Sequence, residues 1–585
     1  MLLKSIKGGV ASLLRRMPGR PFATRPFNVV SLARSLKIAP YFLAGSLLPA
    51  FCFLYGLGAY PLLDLNEGLY AEISREMLET GQVVVPHLLG VPYIEKPPLL
   101  YWLMALSFHA FGPSAASARL VSAAPMLLLA LAIPLVFSRL GHQRAGLYAT
   151  LVLSTSVAVV LISRTVLFDP LLTALLSGCF LAFLQWYLDR RQSRLMLSAL
   201  LLALATMEKG GVAIALAGGV IGTFLILMQD LPALRAVFDK AAIGLFLALT
   251  VPWHIAAALQ QDGFAWFYFM NEHLLRYVGL REPHDYHLGP PYYYIPKLLI
   301  LLLPWTPLLA LLVRSPVARE PHTIVIERFC KAWVLFPFLF FSLSQAKAEY
   351  YILVIAPACA LLIGMELERR LSAGTDKLLS HCLGFSMALA AALLWVALHA
   401  ERVEHVSPDA IMVAFTGLAM SAAAWYLTAR WLAASREQRW LRETAVLGVG
   451  LVVIPVLVAI LQFLDGRSVH KSSRHVADAI QWRAGIAPMV FVYRDYEDVL
   501  ATLPFYLGQK VKVIDSWSQD LEFGCGVTTS HDKACISSKE FAYYRAQFPV
   551  AVVVHESRLD EFRTTAGQGV WKTIEAGEKW VFFNR

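Results

Sequence analysis

Along this chain of 585 residues, long apolar runs alternate with short polar ones until about residue 464, and then the pattern changes. A helix that crosses a bilayer needs about 20 mostly apolar residues. Thirteen stretches approach that requirement: roughly 40–60, 119–137, 145–162, 168–188, 195–207, 211–229, 241–259, 293–313, 332–343, 352–367, 378–400, 409–430 and 444–464. From 465 onward the runs are short and strand-like, at 489–493, 511–514, 550–554 and 580–583. Helical stretches around 471–484, 495–507 and 538–547 alternate with them. The expected fold is therefore a polytopic α-helical membrane body over 40–464, carrying a small soluble α/β domain over 465–585.

Composition sharpens this. The chain is 57% hydrophobic and only 16% charged, where a soluble globular protein carries about 25% charge. That excludes a plain soluble enzyme, and 12% aromatic residues exclude disorder. The net charge of +10 is a matter of sides. With the N-terminus in the cytoplasm, the cytoplasmic segments hold 26 Lys and Arg, and the opposite loops hold 9 beside 16 acids. The positive-inside rule sets that orientation and places the C-terminal domain on the outer face. The basic balance then expresses topology, and no nucleic-acid surface is expected. Residues 1–39 carry eight basic groups and no acid. A mitochondrial transit peptide has this look; the alternative is a cytoplasmic segment lying on anionic lipid before the first span.

The seven cysteines divide the same way. Cys52, Cys179, Cys359 and Cys382 fall in apolar runs, and Cys330 lies at a cytoplasmic loop end. Cys525 and Cys535 are the only two in the outer domain, and a disulfide between them is expected in an oxidising compartment.

Apolar spans are explained by the membrane, so the informative residues are charges near the outer rim. The first outer loop holds Asp64, Glu67, Glu72, Glu76, Glu79 and Glu95 with Arg75 and Lys96. Between Asn66 and Glu79, Leu69, Tyr70, Ile73 and Met77 recur at helical spacing. This predicts an amphipathic helix in the membrane interface, capped by Asn66, with Glu72, Glu76 and Glu79 on a solvated face. Tyr93-Ile-Glu-Lys-Pro-Pro98 holds Glu95 and Lys96 at a proline-stiffened turn. Asp169 opens a span in Ser163–Pro170, with a local Arg164–Asp169 pair as the bland alternative. Asn271–Tyr277 groups Glu272, His273 and Arg276 within one turn, and Lys209 and Lys347–Tyr351 add cations and phenols at outer span ends. No nucleotide phosphate loop, Rossmann glycine motif or DxD sequence is present.

Together these motifs resemble the polyprenyl-phosphate-sugar glycosyltransferases of the GT-C class. The branch they are most similar to is the bacterial aminoarabinose transferases, related to the protein O-mannosyltransferases. The resemblance rests on Asn66–Leu78, Val85–Pro98, Ser163–Pro170, Glu272–Arg276 and Glu349–Leu353 in that order. It implies an inverting transferase in the bacterial inner membrane. The donor would be an undecaprenyl-phosphate sugar, and the acceptor a lipid A-type or other envelope lipid or glycan outside. The resemblance also implies Asp169 as a site acid, and Lys96, Arg276 and Tyr350, with Lys209 and Lys347 nearby, on the donor phosphate. It makes Glu95 and His273 ligands for a divalent metal, zinc or magnesium or manganese. Where the family has Asp-Glu-x-Arg-Tyr, this chain has Asn66-Glu67-Gly68-Leu69-Tyr70. Either Asp64 or Glu67 then supplies the acid, or the acceptor is a lipid phosphate that needs no strong base. The alternatives are transfer to protein hydroxyls and, in a different class, a lipid-linked sugar flippase. A monomer is expected.

Overall fold

The computed structural model describes residues 39–283, 288–313, 320–373, 377–399, scattered positions from 416 to 430, 439–483, 488–528 and 533–584. The basic segment 1–38 and most of the predicted span 409–430 lie outside the described residues.

Among the described residues, seven helices are long and apolar enough to cross a membrane. They are Ala115–Arg139, Phe168–Asp189, Gly211–Met228, Lys240–Gln260, Glu349–Ala373, Lys377–Val396 and Arg442–Lys471. Two bent pairs raise the number to nine: Gln143–Thr155 with Val157–Ser163, at 69°, and Pro291–Leu301 with Thr306–Leu312, at 110°. The expected thirteen are not confirmed by this count: one predicted span, 409–430, lies mostly outside the described residues, and three other described helices fall short of the length or composition of a span. Gln192–Lys209 carries Arg194, Glu208 and Lys209 within 18 residues, and Pro321–Leu343 carries Glu327, Arg328 and Lys331. Ala39–Leu54 is only 16 residues long. The helices enclose one large apolar core that includes Phe180, Phe224, Phe329 and Trp333. All five cysteines of this part are free and buried.

Beyond Lys471 a six-stranded sheet follows, in the order β5-β4-β3-β6-β8-β7. The strands are β3 (Met489–Tyr493), β4 (Lys512–Ile514), β5 (Cys535–Ile536), β6 (Val550–His555), β7 (Lys572–Ala576) and β8 (Lys579–Phe583). An antiparallel pair within 61–98 supplies β1 (His87–Leu88) and β2 (Val91–Pro92). Strands β5, β4, β3 and β6 run parallel, and β8 and β7 close the far edge antiparallel. A parallel sheet is covered on both faces, which explains the nearly unbroken apolar sequence of β3 and β6. Alternate residues point to opposite faces. Phe491, Val552 and Val554 pack under Phe541 and Phe562 from the domain's own helices. Val490, Val492, Val513, Ala551 and Val553 share a core with Leu69, Ile73 and Met77 of helix Asn66–Thr80, and with Tyr101 and Phe168 below.

This second face corrects the reading of the 66–80 helix. It does not lie open in the interface; it is sandwiched under the C-terminal sheet. Glu67 through Met77, Glu72 and Glu76 among them, are all buried, and of the three expected solvated acids only Glu79 is exposed. Glu72 pairs with Arg75 at 2.7 Å, and Glu76 meets Lys510 of the C-terminal sheet domain at 2.8 Å. Asn66 is not the cap either. Leu65 occupies that position without a side-chain cap, and Asn66 Oδ1 accepts a bond from Tyr70 Oη. Cys525 and Cys535 form the expected disulfide, tying helix Gln519–Val527 to β5.

Candidate active site

A cavity of about 600 Å³ lies where the long helices meet the C-terminal sheet domain. Its membrane side presents Lys96, Asp169, Lys209, Arg276, Tyr350 and Tyr351, and the 66–80 helix adds Asn66, Leu69 and Tyr70. The opposite wall comes from segments following the carboxyl ends of β3 and β4, with Glu497, Asp498, Gln519 and Asp520. In parallel α/β sheets this is the end where ligands bind.

Asp169 sits in the first turn of helix Phe168–Asp189, fully buried at the cavity edge. Lys209 Nζ donates to both of its carboxylate oxygens at 2.8 Å, and stacks over the Tyr351 ring at 4.3 Å. The local Arg164–Asp169 alternative does not form, because Arg164 donates to the carbonyls of Cys52 and Tyr55 instead.

Beside this pair runs an ionic network. Glu272 takes Arg276 at 2.8 Å and Lys96 at 3.3 Å, and is bound by Arg281 as well. Arg281 continues to Glu95 at 2.8 Å. Burial works to raise the Glu272 carboxyl, but Lys96, Arg276 and Arg281 outweigh it and hold it well below its usual range. Glu272 thus acts as an anchor that fixes three cations by the cavity. The segment carrying it, Trp266–Leu275, is wound as a wide π-helix, a winding often found at functional sites. Gly210, at φ +63°, lets this segment approach: a Cβ there would lie 2.3 Å from His273 Nε2.

The far wall is acidic. Burial, with the nearby Glu95 and Glu497 carboxylates, pushes the Asp520 carboxyl well above its ordinary range. Burial raises Glu497 too, against a hydrogen bond from Ser518. One end of the cavity is therefore cationic, and the other is lined by carboxyls that burial and one another's charge make harder to ionise.

Several expected site residues lie elsewhere. Asp64 does not line the cavity; it accepts bonds from Thr502, Ser473 and Lys579 in a buried joint. Glu67 is likewise buried against Arg119, at 2.7 Å and 2.9 Å, with Val166 N as a further donor. Lys347 turns away from the cavity and donates to the carbonyls of Phe341, Ser342 and Ser344 at 2.6–2.8 Å. The Glu95 and His273 pair does not fit a divalent cation. Glu95 is held by Arg281 and lies 3.5 Å from Lys96, and His273 Nδ1 faces the Tyr268 carbonyl. Among the described residues, no group of three or more His, Cys, Asp or Glu is arranged to hold an ion. Three neighbouring cations would also repel one.

Sequence reasoning missed Arg281, Arg119 and the whole acidic wall. Arg281 is an isolated arginine before Glu282-Pro283, with no periodic signal. Glu497 and Asp520 lie in a domain read only for its strands, more than 400 residues from Glu95.

A family model described as dolichyl-phosphate-mannose-protein mannosyltransferase matches residues 95–255. An undecaprenyl phosphate-alpha-4-amino-4-deoxy-L-arabinose arabinosyl transferase of Aeromonas hydrophila is 31% identical over 338 residues, which are 56% of this chain and 60% of that protein. One from Pseudomonas fluorescens is 29% identical over 384 residues, 63% and 68% of the two chains. The chain thus spans about three fifths of the length of the Aeromonas relative. The crystal structure of ArnT from Cupriavidus metallidurans bound to undecaprenyl phosphate superposes with a TM-score of 0.75 at 22% identity, covering 94% of this chain and 98% of that one. This likeness shows that the two share a fold.

Proposed function

We propose that this chain is an integral-membrane glycosyltransferase that moves a sugar from an undecaprenyl-phosphate donor to a lipid A-type or other envelope acceptor. The observation that carries this reading is the Asp169–Lys209 pair facing a large cavity beside the Lys96 and Arg276 cations. Departure of a lipid phosphate from an anomeric carbon needs only that its charge be stabilised. Lys96 and Arg276, pre-fixed by Glu272, supply fixed positive groups where that charge develops. Asp169 orients or deprotonates the acceptor hydroxyl on the opposite face of the sugar, and a single displacement inverts the anomeric centre. Where the acceptor is a phosphate oxygen, Asp169 acts as an orienting group only.

The Aeromonas and Pseudomonas relatives are named for a 4-amino-4-deoxy sugar. The acidic wall of Glu497, Asp498 and Asp520 suits a cationic amine on the sugar, opposite the end that suits the phosphate. The loop charges support a cavity on the outer face of the inner membrane, with the N-terminus in the cytoplasm and the C-terminal domain in the periplasm.

Transfer to protein hydroxyls remains a second reading because of the mannosyltransferase description of the 95–255 match. The test is purified protein given labelled undecaprenyl-phosphate sugar with either lipid A or an unstructured Ser/Thr-rich peptide. Label in the lipid supports the first reading, and label in the peptide supports the second. Hydrolysis or no turnover with both overturns transferase function.

A further inference from the structure

Asp64 joins four segments that are far apart in sequence. Its backbone N–H donates to the Lys471 carbonyl at 2.7 Å, at the end of the last long helix. Its carboxylate accepts from Thr502 N at 2.8 Å and Thr502 Oγ1 at 2.6 Å, and from Ser473 Oγ at 3.3 Å. Lys579 Nζ, at the start of β8, completes the joint at 2.6 Å from Asp64 and 3.0 Å from Ser473 Oγ. Both charged side chains are at most 5% exposed. Removing one partner of such a buried pair leaves the other charge unpaired and is costly, so the joint forms as a unit.

The next residue is the significant one. Leu65 holds φ +71° and ψ −132°, a glycine-favoured conformation that a branched-chain residue adopts only when its surroundings impose it. Leu65 and Asn66 line the cavity, and helix Asn66–Thr80 starts there. Three residues on, Gly68 touches the same partner: a Cβ would come within 2.6 Å of the Ala501 and Thr502 backbone. The C-terminal domain therefore grips the chain on both sides of the strained Leu65.

We infer that Asp64 is a positioning residue: locked to Lys579, Thr502 and Ser473, it holds Leu65 in its positive-φ turn and so sets Asn66, Leu69 and Tyr70 on the cavity wall. The C-terminal sheet is then needed for the geometry of the membrane-side half of the site as well as for its own acidic wall. This inference rests on the transferase reading for its kinetic readout, and the test has a second readout that does not.

The test compares the full-length wild-type protein with Asp64→Asn, Lys579→Met and the milder Thr502→Val, each with and without Leu65→Gly. Glycine adopts φ +71° without strain. Hydrogen exchange across 60–75 is read beside transfer kinetics per folded molecule, with folding checked by exchange of β3 and β6. The expected result is faster exchange at 60–75 with β3 and β6 unchanged. A fall in kcat/KM on the order of tenfold should accompany it, the scale of a small misplacement of site groups, with Thr502→Val between wild type and Asp64→Asn. Leu65→Gly should restore a large part of the kinetic loss. If the wild type transfers no sugar while exchange rises locally, the transferase reading fails and the joint stands. Unchanged exchange and kinetics in well-folded variants would overturn the inference. So would losses that Leu65→Gly leaves untouched, or losses that track unfolding of β3 and β6; either would mean that Asp64 serves only stability.

Discussion

Lys209 and Asp169 face each other as a two-pronged ion pair: one ammonium, two carboxylate oxygens, both at 2.8 Å. The pair lies 40 residues apart in sequence, on helices that pack along their lengths, and it borders the cavity of about 600 Å³. Asp169→Asn should lower turnover by roughly a hundredfold or more, the scale of a lost acid–base or orienting group. The same change strands the Lys209 charge, so thermal unfolding in detergent should show a loss of about 3–5 kcal/mol. Asp169→Asn with Lys209→Met should recover stability without recovering turnover. Recovery of both would remove Asp169 from the reaction.

Lys96 contacts Glu272 and, like Arg276, is more open to the cavity than the buried Arg281. Lys96→Ala should weaken binding of undecaprenyl phosphate alone, and lower kcat/KM for its sugar conjugate by on the order of tenfold to a hundredfold. Arg281→Ala should instead cost stability, because it removes the buried arginine that bridges Glu95 and Glu272 and leaves the longer Lys96 contacts as their only shared link. Equilibrium binding of the carrier lipid and thermal unfolding separate the two outcomes.

Glu72 offers a test by pH. Burial, only partly offset by Arg75, pushes its carboxyl up to about 7 from an ordinary 4.5. Between those values the unfolded chain ionises while the folded one keeps its proton, so the folded state loses stability as pH rises through that window. Glu72→Gln should remove this part of the slope. The difference in unfolding midpoint between variant and wild type, followed from pH 4.5 to 7, should therefore grow in favour of the variant. A flat difference would mean that Glu72 is ionised throughout.

Asp520 tests the acidic wall. Asp520→Asn should raise the KM of an amino-sugar donor by roughly tenfold, about 1.4 kcal/mol, and leave a donor with a hydroxyl in place of the amine unaffected. Equal effects on both donors would assign Asp520 to packing.

The membrane body was legible because a bilayer demands long apolar helices, and the strands because alternation and β-branched runs demand a covered sheet. Lys96, Asp169, Lys209, Arg276 and Tyr350 stood out as polar groups in places where hydrophobicity alone should rule, and the structure brings all five to one cavity. What could not be read was pairing. Asp64 and Lys579 are 515 residues apart, and Glu67 and Arg119 are 52 apart. A single sequence reports that a charge exists and says nothing of its partner. Asp64 and Glu67 were marked by their proximity to the family's acidic motif, yet each is consumed by a cation that only the folded chain delivers. The burial of helix Asn66–Thr80 was hidden for a related reason. Its acidic face matches water or a basic partner equally well until Lys510 is seen beside Glu76.

The acidic wall is built from segments beyond the ends of β3 and β4, and the strands themselves stay in the sheet core. Such segments tolerate exchange of side chains without disturbing the strands that hold them. Chains of this architecture can therefore diversify in the chemical group they accept by changing a handful of cavity-facing residues. The segments that carry Lys96, Lys209 and Arg276 would stay as they are, so new chemistry would need no new membrane body.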